Sequence, residues 1–282
     1  MTHSKIYPLI VYRKTTGWTQ EEENAASKWF VCSPSRCHAQ PYNLVIGRYS
    51  VLPFYKEFEN DLNIKGAQLI NSYQQHEYVA DIFKWYEDLK DLTPRTWRSI
   101  IAATNIGYGG PFVVKGETNS KKFLWDTHMY CKDKNQLRDV LNKLFDDSLI
   151  SQQKIAIREY VPLVTYMKSL YDLPITKEFR VFVAYGKVLC GAYYWASHAE
   201  DLAHCGIKVP TFDEVPKSFL NKITNAVGNK INFYVVDVAQ AENGEWIVIE
   251  LNDGQMSGLS MNDPNVLYEN LYNQLTKNDP IT

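Results

Sequence analysis

Apolar positions in the last third of the chain predict a β-hairpin over residues 233–253. The runs "FYVVDVAQ" and "EWIVIELND" flank Asn243-Gly244, a pair that favours the two positive φ angles of a tight type I′ turn. With a two-residue loop, the ladder places Asp237 directly opposite Glu250. Facing side chains of an antiparallel pair lie roughly 4.5–5.5 Å apart, and like charges there repel each other. The pattern therefore predicts two strands that carry an unexplained pair of acids.

Further apolar segments predict an alternation of strands and helices. Strands are predicted over "IYPLIVY", "KWFVC", "NLVIGRYSVLP", "PFVVKG", "KIAIREYVPL" and "EFRVFVAYGKVLCGAYYW". Helices are predicted over residues 66–89, "KNQLRDVLNKLFDD" and "VPKSFLNKITNAVGNK". Because the strands come largely as hairpins, we expect an α+β fold with antiparallel sheets rather than a doubly wound parallel sheet. Pro94 breaks the pattern and makes residues 90–98 a candidate junction.

The predicted hairpin brings oxygen ligands together. Side chains alternate with period two, so Glu250 and Asn252 lie on one face and share it with Asp237. Two adjacent carboxylates need a shifted pKa or a cation, and Mg²⁺ typically takes one or two protein carboxylates and leaves its other positions to water and phosphates. We therefore expect these three residues to form a phosphate-bridging Mg²⁺ site. The alternative is a half-solvated hairpin whose acids face water.

Cationic side chains in other strands suit such a phosphate site. Lys115 ends the strand "PFVVKG", and Lys121 and Lys122 follow in a small polar loop from which they can approach phosphate oxygens. In "EFRVFVAYGK", Glu178 and Arg180 share one face, so Arg180 can contact phosphate while Glu178 orients it. A lysine that ends a strand is usually a surface residue. Its combination with a second cation and a facing acid pair favours phosphate binding.

Composition and charge exclude several classes of protein. The 282 residues are 45% hydrophobic and 22% charged, an ordinary globular balance. No run approaches the roughly 18 apolar residues of a membrane span, and polar residues interrupt the amino-terminal segment, so we expect a cytoplasmic protein, or one of the host cytoplasm if it is viral. A net charge of -2 argues against nucleic acid as a partner. The five cysteines argue against a disulfide framework, and no second ligand cluster completes a zinc site with Cys32, Cys37 and His38.

The order of the motifs resembles the ATP-grasp superfamily. The segments "VVKG", "IREYVP", "EFRVFVAYGKV", "VVDV" and "IELNDG" carry the resemblance over about residues 95–262. Upstream, "VIGRYSV", "NSYQQH" and "DLTPRTW" are similar to a clade found in phages and bacteria. The resemblance implies an α+β ATP-grasp fold of two α+β subdomains that clasp a nucleotide, preceded by a smaller α/β domain. We expect that domain over residues 1–95, the subdomain with the first lysine over 96–163, and the subdomain with the metal-binding hairpin over 164–282.

The resemblance also implies roles for single residues. It assigns Lys115 to the α- and β-phosphates and Arg180 to the transferring phosphoryl group. It assigns the adenine and ribose to Glu159, Tyr160 and Val161, and Mg²⁺ to the three hairpin residues named above. The loop "ETNSKKFLWDTHMY" departs from the glycine- and serine-rich loop frequent in the superfamily. Which of its two lysines closes over the triphosphate is therefore left open.

The function that the resemblance implies is ligation. It predicts an ATP- and Mg²⁺-dependent ligase that joins a carboxylate to an amine-type nucleophile through an acylphosphate, on a small molecule, a peptide or a protein. No Ser-His or Cys-His pattern calls for a protein nucleophile. The alternatives are kinase-like phosphoryl transfer and nucleotide binding without catalysis. A polynucleotide ligase would need a Lys-x-Asp-Gly motif, which "KGET" at Lys115 does not supply.

Overall fold

The computed structural model describes residues 8–14, 18–105 and 107–277, and its first sheet has four parallel strands. The sheet contains β1 (Pro8–Tyr12), β2 (Val31–Ser33), β3 (Leu44–Arg48) and β4 (Gln68–Leu69), in the order β2-β1-β3-β4. The crossovers include α1 (Gln20–Ala26) and α2 (Tyr55–Ile64). Parallel neighbours need such crossovers, so the expectation of antiparallel hairpins is wrong for this part of the chain. Ile6 and Tyr7 of the predicted first strand lie outside the described residues.

Two short helices replace the single helix predicted over residues 66–89. They are α3 (Tyr73–Ala80) and α4 (Ile82–Leu89). Ser72 starts α3 through a reciprocal capping box with the third helical residue. Asp81 ends α3, and its side chain accepts a hydrogen bond from the backbone of α4 and so caps that helix. The apolar spacing is helical throughout, but these two caps set where each helix begins.

The second sheet is antiparallel and has a helix packed against it. It contains β5 (Thr96–Trp97), β6 (Phe112–Gly116), β7 (Tyr130–Cys131) and β8 (Ile155–Glu159), in the order β5-β8-β6-β7. The accompanying helices are α5 (Ile100–Thr104) and α6 (Lys134–Phe145). Leucines of α6 pack on Phe112 and Val114 of β6 in one buried cluster. Burial of that apolar face holds α6 against the sheet.

The third sheet is the largest antiparallel unit and lies between two apolar layers. A small hairpin of β9 (Thr165–Lys168) and β10 (Pro174–Thr176) precedes it. Its strands are β11 (Glu178–Ala184), β12 (Lys187–Tyr193), β13 (Phe233–Gln240) and β14 (Trp246–Asp253), in the order β12-β11-β13-β14. The remaining helices are α7 (Ala199–His204), α8 (Lys217–Val227) and α9 (Pro264–Lys277). Among the helices described, none is both long and apolar enough to cross a bilayer.

Different elements cover the two faces of the third sheet. On one face α4 and α8 form a buried cluster with Val181 and Val236. On the other face α9 and the first sheet form a cluster with Phe182 and Phe233. This layering of helices and mainly antiparallel strands confirms the expected α+β class. The predicted domain boundaries stay a prediction.

The turn between β13 and β14 differs from its prediction, yet the facing acids are where the sequence places them. Within the turn only Gly244 has a positive φ, at 89°, so the type I′ prediction is wrong. The first pairs after the turn are one residue out of the predicted register. A β-bulge at Ile249 then shifts the register back, and Asp237 pairs with Glu250 as predicted.

Arg48, at the end of β3, connects the first sheet to the loop that follows β14. Its guanidinium is buried and lies 2.8 Å from the Glu22 carboxylate. It also donates to three backbone carbonyls of that loop, those of Gly254, Gln255 and Ser257. The Tyr268 hydroxyl of α9 accepts from Arg48 and donates to Glu22. This buried network joins three separate parts of the chain.

We expect Arg48→Met to lower the free energy of unfolding by about 3–5 kcal/mol, because it leaves the Glu22 carboxylate uncompensated in the interior. Urea denaturation of the parent and the variant measures the change. The control is Arg36→Met, which removes an ion pair with Asp61 of which both side chains are partly exposed. That change should cost less than about 1 kcal/mol. Equal small losses in the two variants would contradict the role of Arg48.

Candidate functional site

Two adjoining cavities lie where the second and third sheets face each other. The apolar cavity, of about 110 Å³, has many hydrophobic walls, among them Val113, Trp125, Met129, Val161, Leu163, Ile247 and Ile249. The cationic cavity, of about 570 Å³, is lined by Lys122, Arg180 and Asn252 among other polar residues. The two cavities share several wall residues, including Lys122, Trp195 and Glu250. Together they form one cleft with an apolar part and a charged part.

Most of the residues predicted from the sequence line this cleft. The apolar cavity is lined by Lys115, Lys122, Glu159, Tyr160, Val161, Glu178 and Glu250. The cationic cavity is lined by Lys122, Arg180, Glu250 and Asn252. Lys121 is in neither lining and forms an ion pair with Asp147 at 2.5 Å. Asp237 has no exposed surface and lies behind Arg180. Of the two loop lysines, the structure therefore turns Lys122 toward the cleft.

Arg180 is held by a carboxylate on the neighbouring strand. Arg180 and Asp237 are register partners on β11 and β13, and two parallel hydrogen bonds join Nε to Oδ1 at 2.9 Å and Nη2 to Oδ2 at 2.8 Å. Burial lowers the pKa of Arg180, but the Asp237 carboxylate outweighs this effect and the net pKa is raised. The sequence expectation gave the orienting role to Glu178. The structure gives it to Asp237, because a cross-strand neighbour lies within hydrogen-bonding reach.

The opposing acid, Glu250, has a cation of its own. Lys115 Nζ on β6 lies 2.6 Å from Glu250 Oε1, and both side chains are largely buried. Burial lowers the pKa of Lys115, and Glu250 opposes this shift. Burial also raises the pKa of Glu250, but Lys115 and Lys122 outweigh it and the net pKa is lowered. The predicted repulsion between the facing acids is thus answered within the protein by one cation for each carboxylate.

Glu178 is a buried carboxylate with incomplete hydrogen bonding. It is 3% exposed, and its Oε1 has no hydrogen-bond partner among the described residues. Thr176 donates to the other oxygen at 3.3 Å, and Lys122 Nζ lies 4.0 Å from Oε1. Burial, the largest effect, raises the pKa of Glu178 to about 7. The group therefore changes its charge close to neutral pH.

Tyr194, which the sequence reasoning passed over, holds two of the cations together. Lys122 donates to the Tyr194 hydroxyl at 2.9 Å, and its Nζ is 4.3 Å from the ring centroid. The Arg180 Cζ lies 4.8 Å from the centroid of the same ring. Such cation–π contacts attract both charges to the ring. The tyrosine-rich composition hid this residue, because an aromatic side chain at the end of a strand is usually read as core.

Arg158 is a second functional residue that the sequence did not single out. Its buried guanidinium donates to the Ile249 carbonyl at 2.7 Å and to the hydroxyls of Thr93 and Thr96. Burial lowers its pKa to about 10. Because Ile249 is the bulged residue, Arg158 fixes the point where β14 turns Glu250 toward Lys115. A charged residue within the apolar run "IAIREY" was the available signal.

The expected Mg²⁺ ligands fit that ion in kind. Among the residues that the structure describes, no three His, Cys, Asp or Glu side chains converge as a metal-binding group. The expected set consists instead of two carboxylates and one amide, which is the sparse protein contribution that Mg²⁺ takes when phosphates supply further ligands. Glu250 and Asn252 line the cationic cavity, while both oxygens of Asp237 are held by Arg180. The Mg²⁺ assignment stays a prediction.

Comparisons with known proteins identify the family and the fold. The profile of an ATP-grasp domain family, the third family of its clade, matches residues 105–271, more than half of the chain. D-cycloserine synthetase DcsG superposes with a TM-score of 0.61 at 12% identity, over 96% of this chain and 100% of that chain. The RiPP-associated ATP-grasp ligase of Chryseobacterium gregarium, solved with ADP and a leader and core peptide, gives 0.62 at 11% identity, over 98% of each chain. D-alanyl-alanine synthetase A of Vibrio cholerae gives 0.57 at 11% identity, over 97% of each chain. At such identities the likeness shows the fold alone, and it confirms the expected ATP-grasp architecture; a search of curated proteins found no match.

We expect Glu250→Gln to lower the free energy of unfolding by about 1–3 kcal/mol, because Lys115 loses a charged acceptor but keeps a carbonyl oxygen. Urea denaturation without ligands measures this change. Glu159→Gln is the control, since the Glu159 partner, Arg95, is 52% exposed, and exposed pairs contribute less than about 1 kcal/mol. A Glu250→Gln variant as stable as the parent would mean that the acids of the hairpin face water.

A pH dependence follows from Glu178. Its folded-state pKa of about 7 lies above the ordinary value of 4.5, so between these values the folded state holds a proton that the unfolded state has released. Stability is then highest at the acidic end of this window and falls as pH rises through it. We expect Glu178→Gln to remove this part of the slope and to be more stable than the parent above neutral pH. Denaturant unfolding across the window tests it, and identical slopes in both proteins would contradict it.

Proposed function

Because the chain belongs to a family of ATP-grasp domains, the third of its clade, we propose that it is an ATP- and Mg²⁺-dependent ligase that joins a carboxylate to an amine through an acylphosphate. One observation carries the proposal. Lys115, Lys122 and Arg180 project from three different segments into one cleft, where two carboxylates oppose them. A cleft that gathers three cations beside an apolar cavity suits a nucleotide, whose base is apolar on its faces and whose triphosphate is strongly negative.

The apolar cavity is the proposed site of the adenine. Residues 159–161 continue from β8 along its wall. The backbone N–H groups of Glu159 and Tyr160 donate to the carbonyls of Arg95 and Pro111. The Val161 N–H has no partner among the described residues, which leaves it for an acceptor atom of the base. The Glu159 side chain is held by Arg95 at 2.7 Å, so its contribution to nucleotide binding comes from its backbone.

The cations next to the apolar cavity are the proposed triphosphate site. Lys115 and Lys122 offset the charge of the phosphate chain, and Arg180 faces the group that is transferred. Asp237, Glu250 and Asn252 would hold Mg²⁺, which neutralises phosphate charge and fixes the triphosphate for in-line displacement. Arg180 is positioned before the reaction by its two hydrogen bonds to Asp237. Preorganised charge of this kind stabilises a phosphoryl-transfer transition state without reorganisation.

The proposed reaction has two displacements. First, a carboxylate oxygen of the acid substrate attacks the γ-phosphorus, and the bond to the ADP oxygen breaks. Next, the lone pair of a neutral amine forms a bond to the acyl carbon. The C–O bond to phosphate then breaks, inorganic phosphate leaves with the electron pair, and the nitrogen releases its proton to water. Arg180 and the lysines lower the barrier of the first step because negative charge spreads over the γ-phosphoryl oxygens.

The adjacent lysines of the loop after β6 give a matched test. We expect Lys122→Met to weaken binding of Mg²⁺ and a non-hydrolysable ATP analogue by about 1.5–3 kcal/mol, the range for hydrogen bonds to charged groups. Lys121→Met should change it by less than about 1 kcal/mol, because Lys121 is in an ion pair outside the cleft. Isothermal titration calorimetry measures both affinities.

Two results would count against the proposal. Equal affinities in the two lysine variants and the parent would show that the phosphates bind elsewhere. A parent protein that binds no nucleotide in the presence of Mg²⁺ would refute the ligase function itself.

A further inference from the structure

A third cavity, which the steps above do not use, lies between the first sheet and the loop after β14. This acidic cavity has a volume of about 640 Å³ and is lined by Trp18, Glu21, Glu22, Arg48, Tyr49, Ser50 and residues of the segment 255–265. Gly258 and Ser260 line both this cavity and the cationic cavity. The Gly258 carbonyl accepts a hydrogen bond from Arg180 at 3.1 Å. The acidic cavity therefore adjoins the proposed site of phosphoryl transfer.

The two cavities on either side of this shared wall have opposite charge. The charged residues that line the acidic cavity are Glu21, Glu22, Asp263 and Arg48. Arg48 is committed to Glu22 and to backbone carbonyls. Among the described lining residues there is no other lysine, arginine or histidine. A carboxylate that entered this cavity would find no uncommitted cation, whereas an ammonium group would be attracted.

Two buried polar groups at this cavity lack partners in the described part of the chain. Asn262 is 5% exposed, and its Nδ2 donates to the carbonyls of Arg180 and Leu259. Those two bonds fix the orientation of the amide, so Oδ1 is left as an acceptor without a donor among the described residues. Trp18 is 7% exposed, and its Nε1 is a donor without an acceptor among the same residues. Buried polar groups normally have partners, so this pair points to a ligand that offers both an N–H donor and a carbonyl acceptor.

We propose that the acidic cavity binds the amine substrate of the ligase, and that this substrate carries an amide next to its amine instead of a free carboxylate. The inference rests on the proposed function and names its acceptor class. An α-amino amide, the group found at a peptide amino terminus, supplies the positive charge in solution, the N–H for Asn262 and the carbonyl for Trp18. A free amino acid would bring a carboxylate into a cavity without an available cation.

The shared wall gives the amine a route to the acyl carbon. A Cβ built on Gly258 would have no atom within 4 Å, so this part of the wall borders open space. After losing its proton, the amine forms the C–N bond with its lone pair across this wall. The C–O bond to phosphate breaks, and phosphate leaves with the electron pair. Charge thereby sorts the substrates: anions bind beside Arg180, and the amine binds beside Asp263 and Glu21.

A matched pair of small ligands tests the proposed class. The full chain, labelled with ¹⁵N, is titrated with L-alaninamide and with L-alanine, which differ only in the amide or carboxylate. The reporter is the Trp18 indole N–H resonance, assigned with Trp18→Phe. We expect alaninamide to bind at least about fivefold more tightly, the effect of one unfavourable charge contact near the surface. Equal or tighter binding of alanine, or no shift with alaninamide, would overturn the proposal.

Charge variants separate the electrostatic effect from damage to the fold. Glu21→Gln with Asp263→Asn should weaken alaninamide several-fold, while Glu87→Gln, at an exposed position on α4, should not. Ser50→Lys adds a cation to the wall and should shift the preference toward alanine. An unchanged preference in the Ser50 variant would count against recognition by charge.

Two further arms complete the design. L-Alanyl-L-alaninamide distinguishes the sources of the amide: tighter binding than alaninamide supports a peptide acceptor, and weaker binding supports a small amino-acid amide. All of these titrations are made without nucleotide, so they do not depend on the proposed ATP site. Calorimetry with Mg²⁺ and the ATP analogue reports on that site separately. Failure of the amine proposal and failure of the ligase proposal therefore give different results.

Discussion

Four charged side chains taken out of water at one wall of the cleft must neutralise each other in pairs, and much of the structure follows from that requirement. Arg180 binds Asp237 and Lys115 binds Glu250. Removing one partner of a buried pair typically costs about 3–5 kcal/mol, so neither pair tolerates displacement. The first pair joins neighbouring strands of one sheet. The second joins β6 of the second sheet to β14 of the third, so the ion pair in the cleft also fixes how the two sheets face each other.

Strand β14 is where these constraints meet. The bulge at Ile249, held by Arg158, restores the register that places Glu250 opposite Asp237. Four residues after the bulge, the strand ends at Asp253, whose buried carboxylate contacts Asn71, His76 and Tyr55. The loop that follows is held by Arg48 of the first sheet. One strand therefore carries contacts to all three sheets, and the cleft cannot shift without disturbing the remote network.

The sequence predicts what depends on short-range periodicity and misses what depends on packing. Alternation along the hairpin predicted the facing pair, but two errors cancelled to give it: the turn has one positive φ, and a bulge corrected the register. The cations that answer the acids could not be identified, because Lys115 and Glu250 are 135 positions apart. Adjacent residues can also diverge, as Lys121 and Lys122 show. By contrast, the start of α3 was readable, since the pattern Ser-x-x-Gln at Ser72 is a capping box.

The two ion pairs of the cleft differ in what a nucleotide can do to them. Asp237 has no exposed surface and binds Arg180 through both oxygens, so this pair is a fixed support that keeps the guanidinium in place. Glu250 lines both cavities and contacts Lys115 through one oxygen. Under the proposed function, Lys115 can exchange that carboxylate for phosphate while Glu250 turns to the metal that accompanies the phosphates. Because each charge gains a new partner as it leaves the old one, neither is left uncompensated in the interior. The Lys115–Glu250 pair thus keeps the empty cleft folded and is replaced, rather than simply broken, when the nucleotide binds.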